Sequence, residues 1–186
     1  MDELRQTYPR VALTGRRASV DIELAGQIVE KLMAAESAQD LLETVVAHGY
    51  DGLRPAQAAV ATVHTDGRLH LAAGIDVPDA IRASFPMVAD ASRPLAQALV
   101  ERMAIWVESA TDRDRWYPGL TNYADLPRAA GFLPLERAGG TVGVLAVLFD
   151  HDRSISEGER SYYRLLANLY ALALDRLAMR TAAART

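Results

Sequence analysis

The most constraining feature of this sequence is the apolar run at residues 142–149, VGVLAVLF, in which no side chain is charged or polar. A run of this length is far too short to cross a bilayer, which needs about 20 residues in a helix. It is instead typical of a strand that is buried on both faces. The run therefore predicts the central strand of a sheet.

Two tight turns place further strands around this one. Asp66-Gly67 ends a strong hairpin turn, because glycine tolerates the positive φ of such turns, and Gly139-Gly140 joins the central strand to the segment before it. Strands are predicted over residues 57–64, 68–73, 104–109, 129–136 and 141–150. In the last of these, Gly143 leaves room either for a close backbone approach or for a core side chain.

Helical patterns occupy both ends of the chain. Ser37 with Asp40, and Ser156 with Glu159, have the spacing of capping boxes at helix starts. Helices are predicted from Ser19, from Ser37, over 81–85, from Ser92 and over 157–180. The order of elements predicts one α+β domain over residues 19–180, preceded by a flexible arm at 1–18 and followed by a frayed tail at 181–186.

Residues 111–127 lack periodicity and are first charged and then aromatic. We expect them to be irregular. Loops this long in a compact domain commonly act as lids or binding segments, and we call residues 111–127 the lid segment.

Composition excludes several kinds of chemistry. The 186 residues include no cysteine, which excludes disulfides, thiolate metal sites and cysteine nucleophiles. The formal net charge of −4 offers no long-range attraction to nucleic acid or to an anionic membrane. Secretory and transmembrane signals are missing, so we expect a soluble, cytoplasmic protein. No Ser–His–Asp spacing, GxSxG elbow, P-loop or dinucleotide fingerprint is present, and no catalytic residue is predicted.

Over residues 24–178 the chain resembles a GAF domain. The resemblance rests on the order and spacing of short motifs and not on any single one. They are the Asp66-Gly67 hairpin with Leu69, Leu71 and Gly74, the helix at 94–99, Trp106-Val107, Leu133-Pro134-Leu135, Gly139-Gly140, the strand at 142–145, and Ser156. The resemblance implies a profilin-like, PAS-related antiparallel sheet of about six strands. Its N- and C-terminal helices would lie on one face, and a lidded small-molecule pocket on the other.

The aromatic residues near the lid segment are the pocket candidates, because aromatic rings with a few polar groups line most small-molecule sites. Two arginines could add a contact to an anionic ligand. The predicted ligand-binding residues are Phe85, Met87, Trp106, Arg115, Trp116, Tyr117, Tyr123 and Arg128. The alternative is that the aromatic rings only fill the space between sheet and lid.

No cofactor is identifiable. The family resemblance makes haem, cyclic nucleotides and bilins the candidate cofactors. However, nothing singles out one of the four histidines, the Asn-Lys-X-X-Phe-Asp-like motif is missing, and bilin attachment needs a cysteine. The one well-known reaction of GAF-like folds, reduction of free methionine sulfoxide, also depends on cysteines. Asp150-His151-Asp152 could hold a metal ion, but a solvated turn between a strand and a capped helix is the favoured interpretation, and no metal site is predicted.

The last helix carries apolar residues over more than half of its circumference and therefore needs two partners. One would be the sheet, and the other the helix around residues 28–32, its counterpart in a second subunit, or both. We expect a homodimer formed through the helices at 22–33 and 157–180, as GAF domains commonly do. The sequence thus predicts a non-catalytic sensory module that binds an unknown small molecule and acts on an output domain or partner protein. The alternative is a structural dimerisation module with a filled pocket and no ligand.

Overall fold

The computed structural model describes residues 15–50, 53–123 and 125–183, with side chains from residue 23 onward. The first fourteen residues and the last three lie outside this range, so most of the predicted arm and half of the predicted tail are not described. The described parts of both are helical: the first helix begins at Gly15 and the last ends at Ala183.

The six strands found among the described residues belong to one antiparallel sheet, as predicted. They are β1 (Gln57–Val63), β2 (Arg68–Ile75), β3 (Met87–Val88), β4 (Ile105–Val107), β5 (Ala129–Arg137) and β6 (Gly140–Phe149). Their spatial order is β3-β2-β1-β6-β5-β4, which puts β6 at the centre. Residue patterns alone missed β3, because two residues are too few for an alternation to be recognised.

The six α-helices of the described residues are α1 (Gly15–Ala34), α2 (Ala38–Ala47), α3 (Asp79–Arg82), α4 (Pro94–Glu101), α5 (Ala110–Trp116) and α6 (Glu157–Ala183). The capping box of α2 is complete. The amide of Asp40 donates to Ser37 Oγ at 3.1 Å, and the amide of Ser37 donates to Asp40 Oδ2 at 3.0 Å. The sequence pattern therefore located the start of α2 correctly.

At α6 only half of the predicted box forms. The amide of Glu159 donates to Ser156 Oγ at 3.2 Å, whereas the buried Glu159 carboxylate accepts from Arg153 at 2.7 Å. A buried carboxylate without a charged partner costs more free energy than a helix N-terminus without a second cap. The Glu159 carboxylate therefore pairs with Arg153 and does not cap the helix.

The expectation that residues 111–127 are irregular was wrong. The segment contains most of α5 and a 3₁₀ helix, Pro118–Asn122. Ser109 caps α5, since its Oγ accepts from the amide of Asp112 at 3.1 Å. The Ser-x-x-Asp spacing was a helix-start signal that the charged composition of the segment concealed.

The sheet separates two hydrophobic cores, and β6 contributes to both. Leu145, Val147 and Phe149 pack with α1, α2 and α6 on one face, while Val144 and Ala146 belong to the core on the opposite face. The prediction that the run at 142–149 is buried on both sides is confirmed. Helices α3, α4 and α5 cover the second face.

Within the described ranges, no helix is long and apolar enough to cross a membrane. The cytoplasmic location therefore stays a prediction from the sequence.

Gly143 is required by close packing of two backbones. A Cβ at this position would lie 2.3 Å from the carbonyl oxygen of Ala61 in β1. We expect Gly143→Ala to lower the free energy of unfolding by about 1–3 kcal/mol, as overpacking does elsewhere. Urea denaturation measures this loss.

Gly139→Ala is the matched control, since a Cβ at Gly139 would meet nothing within 4 Å. Equal unfolding midpoints for the two variants would contradict the assignment of Gly143 to a backbone contact.

Candidate functional site

Three alanines on the central strands form the floor of a cavity. Ala59 of β1 lies opposite Ala146 of β6, and Ala130 of β5 completes the floor. On the other face of β1 and β6 the next pair along the strands is larger, namely Val60 and Leu145. Because side chains alternate between the two faces of a strand, these small residues leave space on one side only.

Large apolar side chains form the walls and roof. The cavity measures about 100 Å³ and lies between the sheet, α3, α4 and the lid segment. The larger apolar residues around it are Val77, Ile81, Phe85, Met87, Leu95, Val107, Leu120, Leu126, Phe132 and Leu148. Most of them have no hydrogen-bonding group, so the space favours apolar contents.

Arg113 is a partly buried charged residue at the cavity, and its guanidinium already has hydrogen-bond partners. Nη1 donates to the carbonyl oxygens of Leu126 at 3.3 Å and Pro127 at 2.7 Å. Nε donates to Asp114 Oδ1 at 2.8 Å, and Nη2 lies 2.7 Å from the same oxygen. Arg113 therefore connects α5 to the end of the lid segment, and its charge is balanced by the carboxylate of Asp114.

Arg93, at the start of α4, also holds the lid segment. Its Nη2 donates to the hydroxyl of Tyr123 at 2.9 Å, and its guanidinium carbon lies 5.6 Å from the centre of the Tyr123 ring. Arg93 also lies immediately before α4. The pair therefore joins the start of α4 to the residue that follows the 3₁₀ helix.

The two neutral polar residues at the cavity differ. Ser84 is satisfied, because its hydroxyl donates to the carbonyl oxygen of Ile81 at 2.7 Å. Gln57 lines the cavity at the start of β1, and its carboxamide makes no hydrogen bond within the described residues. In the same part of the chain, no three His, Asp or Glu side chains converge as metal ligands.

A family model described as "GAF domain" matches residues 35–175, which is most of the chain. The chain belongs to the GAF domain family.

Solved structures agree with this membership. The GAF domain of an Acinetobacter phosphoenolpyruvate-protein phosphotransferase is 13% identical with a TM-score of 0.69, over 88% of this chain and 95% of that one. A segment of a methyl-accepting chemotaxis protein is 16% identical with a TM-score of 0.64, over 82% and 98%. The Neisseria meningitidis free methionine-R-sulfoxide reductase, in complex with its substrate, is 16% identical with a TM-score of 0.65, over 90% and 96%.

At these identities the likeness shows a shared fold and nothing finer. A search of curated proteins found no match.

The GAF fold divides the predicted site residues between several places. Phe85 and Met87 line the cavity. Tyr123 does not line it but covers Arg93, which does. Arg115 is exposed on α5, two residues and therefore about half a helical turn from Arg113. The arginine of α5 that lines the cavity is therefore Arg113, two residues before the predicted one.

Arg128 also has a structural partner. Its Nε and Nη2 donate to the two carboxylate oxygens of Asp152 at 3.1 and 3.0 Å, and Asp152 Oδ1 also accepts from the amide of Ala110 at 3.0 Å. The hydrogen bonds from Arg128 and then from Ala110 hold the pKa of Asp152 below its usual value. This cluster fastens both ends of the lid segment to the β6–α6 turn.

Trp106, Trp116 and Tyr117 meet at a separate place, an open groove of about 660 Å³ at the β4 edge of the sheet. Trp106 lies on the face that carries α6, and a Cβ at Gly131 would lie 2.3 Å from its ring. Tyr117 is buried and donates its hydroxyl to Gln97 at 2.5 Å. Burial, and then the charge of Glu101, raise the pKa of Tyr117.

Sequence reasoning missed Arg93, Arg113, Gln57 and the alanine floor. The floor had only a partial signal, since Ala146 lies between Leu145 and Val147 in the central strand, whereas Ala59 and Ala130 each follow another alanine. Gln57 and the arginines had none, because polar residues of these types are usually solvated.

Arg113→Ala should destabilise the lid, because it leaves the carbonyl groups of Leu126 and Pro127 without their donor. We expect a loss of about 1–3 kcal/mol in the free energy of unfolding, as for other buried groups left unpaired. Chymotrypsin cleavage near Tyr123 should also become faster. Urea denaturation and timed proteolysis measure the two effects.

Arg115→Ala removes the same side chain from an exposed position on the same helix. It should change stability by no more than about 0.5 kcal/mol. If both variants behave alike, Arg113 does not hold the lid.

Proposed function

We propose that this GAF domain is a non-catalytic regulatory module that binds a small molecule in the cavity between the sheet and the lid segment. The observation that carries the proposal is the alanine floor of Ala59, Ala130 and Ala146 beneath a lid that is fastened at both ends. Small side chains in a tightly packed protein cost stability, so a space kept open at the centre of a sheet favours a binding role.

The chemistry of the described lining supports a role without catalysis. Its polar residues are Gln57, Ser84, Arg93 and Arg113, with no histidine or carboxylate to act as a general base. The Ser84 hydroxyl donates to a backbone carbonyl oxygen and has no base beside it. The structural similarity to a methionine sulfoxide reductase does not extend to thiol chemistry, because this chain has no cysteine.

Glu108 provides a route from the lid to the terminal helix. It immediately precedes Ser109, the cap of α5. Its Oε1 accepts from Arg160 of α6 at 3.0 Å and from the amide of Ile155 at 2.7 Å. A movement of α5 would therefore alter contacts at the start of α6. We propose that ligand binding acts on α6 through Glu108, and that the ligand selects one of two lid positions.

The test is capture of the ligand that accompanies the purified protein. Native mass spectrometry of wild type should show an added mass that is lost on denaturation. Ala130→Ile, which fills the cavity floor, should remove the added mass. Ala72→Ile places the same substitution at an exposed position on β2 and should retain it.

Absence of any bound molecule in wild type, together with higher stability of Ala130→Ile, would favour the alternative of a structural module without a ligand. Filling an empty cavity stabilises a protein, whereas filling a binding site prevents the ligand from binding and so removes the stability that the ligand contributes.

We further propose that the domain forms a homodimer through α1 and α6. On α6, Leu165, Leu172 and Met179 are exposed at seven-residue intervals, with 47%, 61% and 70% of each residue accessible. On α1, Val29 and Met33 are each 38% exposed. A seven-residue apolar repeat on a long helix is the pattern of a helix–helix seam between two chains.

Leu172→Glu should convert the dimer to a monomer, because it puts a charge in the middle of this seam. Light scattering during size exclusion at tens of micromolar protein measures the change in mass. Met103→Glu adds the same charge at another exposed apolar residue and should leave the dimer intact. A wild-type protein that elutes as a monomer at this concentration would overturn the dimer.

A further inference from the structure

We infer that the molecule bound in the cavity is small, uncharged and largely apolar, with one neutral polar group that hydrogen-bonds to Gln57. The inference rests on the proposed function and specifies its ligand. The inference rests on three properties of the cavity. They are its volume, the contacts that its charged groups already make with the lid segment, and the carboxamide of Gln57, which has no hydrogen-bond partner among the described residues.

The volume restricts the ligand to a single ring or a short chain. The cavity of about 100 Å³ is well below the range of about 300–1,000 Å³ found for drug-sized ligands. It is closer to an engineered apolar cavity of about 150 Å³ that takes up benzene. A nucleotide would not fit beneath the lid as it stands.

The charged groups at the cavity are committed to holding the lid. All three nitrogens of the Arg113 guanidinium have partners, and Asp114 balances its charge. Arg93 donates from one nitrogen to the neutral hydroxyl of Tyr123, and its guanidinium lies over the Tyr123 ring. An anionic ligand would have to displace the Arg113 contacts or depend on Arg93 alone in a mostly apolar lining, and both are costly.

Gln57 supplies the remaining polar contact. It lies opposite Leu148 of β6, at the edge of the alanine floor. A carboxamide both donates and accepts hydrogen bonds but carries no charge, so it suits a hydroxyl, carbonyl or amide group on the ligand. The other neutral polar side chain, Ser84, is already bonded to Ile81.

Three probes of one ring each separate charge from polarity: toluene, benzyl alcohol and benzoate. Binding to the purified full chain is followed by amide NMR titration of isotope-labelled protein. We expect benzyl alcohol to bind with the highest affinity and benzoate to bind at least about tenfold more weakly, since its charge would be buried without a partner. Ala130→Ile should abolish binding of all three probes, and Ala72→Ile should leave binding unchanged.

Gln57→Leu tests the polar contact. It should weaken the binding of benzyl alcohol by about threefold to tenfold, the contribution of one neutral hydrogen bond, and leave the affinity for toluene unchanged. Gln27→Leu, at an exposed position on α1, is the control and should change neither affinity.

Benzoate binding as tightly as benzyl alcohol would overturn the inference, as would probe binding that survives Ala130→Ile. The protein could instead bind none of the three probes and carry a captured cellular ligand that is charged or much larger. That outcome would overturn the inference and leave the proposed function standing. Failure to bind any probe, with no captured ligand, would overturn both.

Discussion

The alternation of side chains along the three central strands is the constraint on which this structure depends. Each of β1, β6 and β5 must serve two cores at once, because successive residues point to opposite faces. Leu145 and Val147 give bulk to the face that carries α1, α2 and α6. Ala59, Ala130 and Ala146 leave the opposite face shallow. The same strands therefore anchor the main core and leave open the space beneath the lid.

The lid closes over this space through polar contacts, and its attachment differs in kind from the helical core. Asp152 joins the amide of Ala110 to Arg128, and Arg113 bonds to the backbone at Leu126 and Pro127. The fully buried tyrosines and leucines beneath α6 belong to the other face. Among the described residues of the lid segment only Tyr117 is buried, so the lid is the part of the domain best suited to the proposed regulatory movement.

Much of the fold was predictable from local patterns. The Ser37 capping box, the Asp66-Gly67 hairpin and the run at 142–149 each specify structure within a few residues of themselves, and all three are confirmed. The lid segment was interpreted less well. Its charged residues suggested a loop, although Ser109 starts a helix there, and its aromatic residues proved to lie in two different places.

By itself the sequence determined five of the strands and the two-sided burial of the central one, because periodicity and turn chemistry are local properties, while its resemblance to GAF domains implied the six-stranded antiparallel sheet and the family. Only the tertiary structure decided which residues reach the cavity. Arg113 faces it and Arg115 does not, and Trp106 lies across the sheet from it. Two positions along a helix, or one along a strand, turn a side chain to nearly the opposite side, and which side faces the cavity is fixed only when the elements pack together.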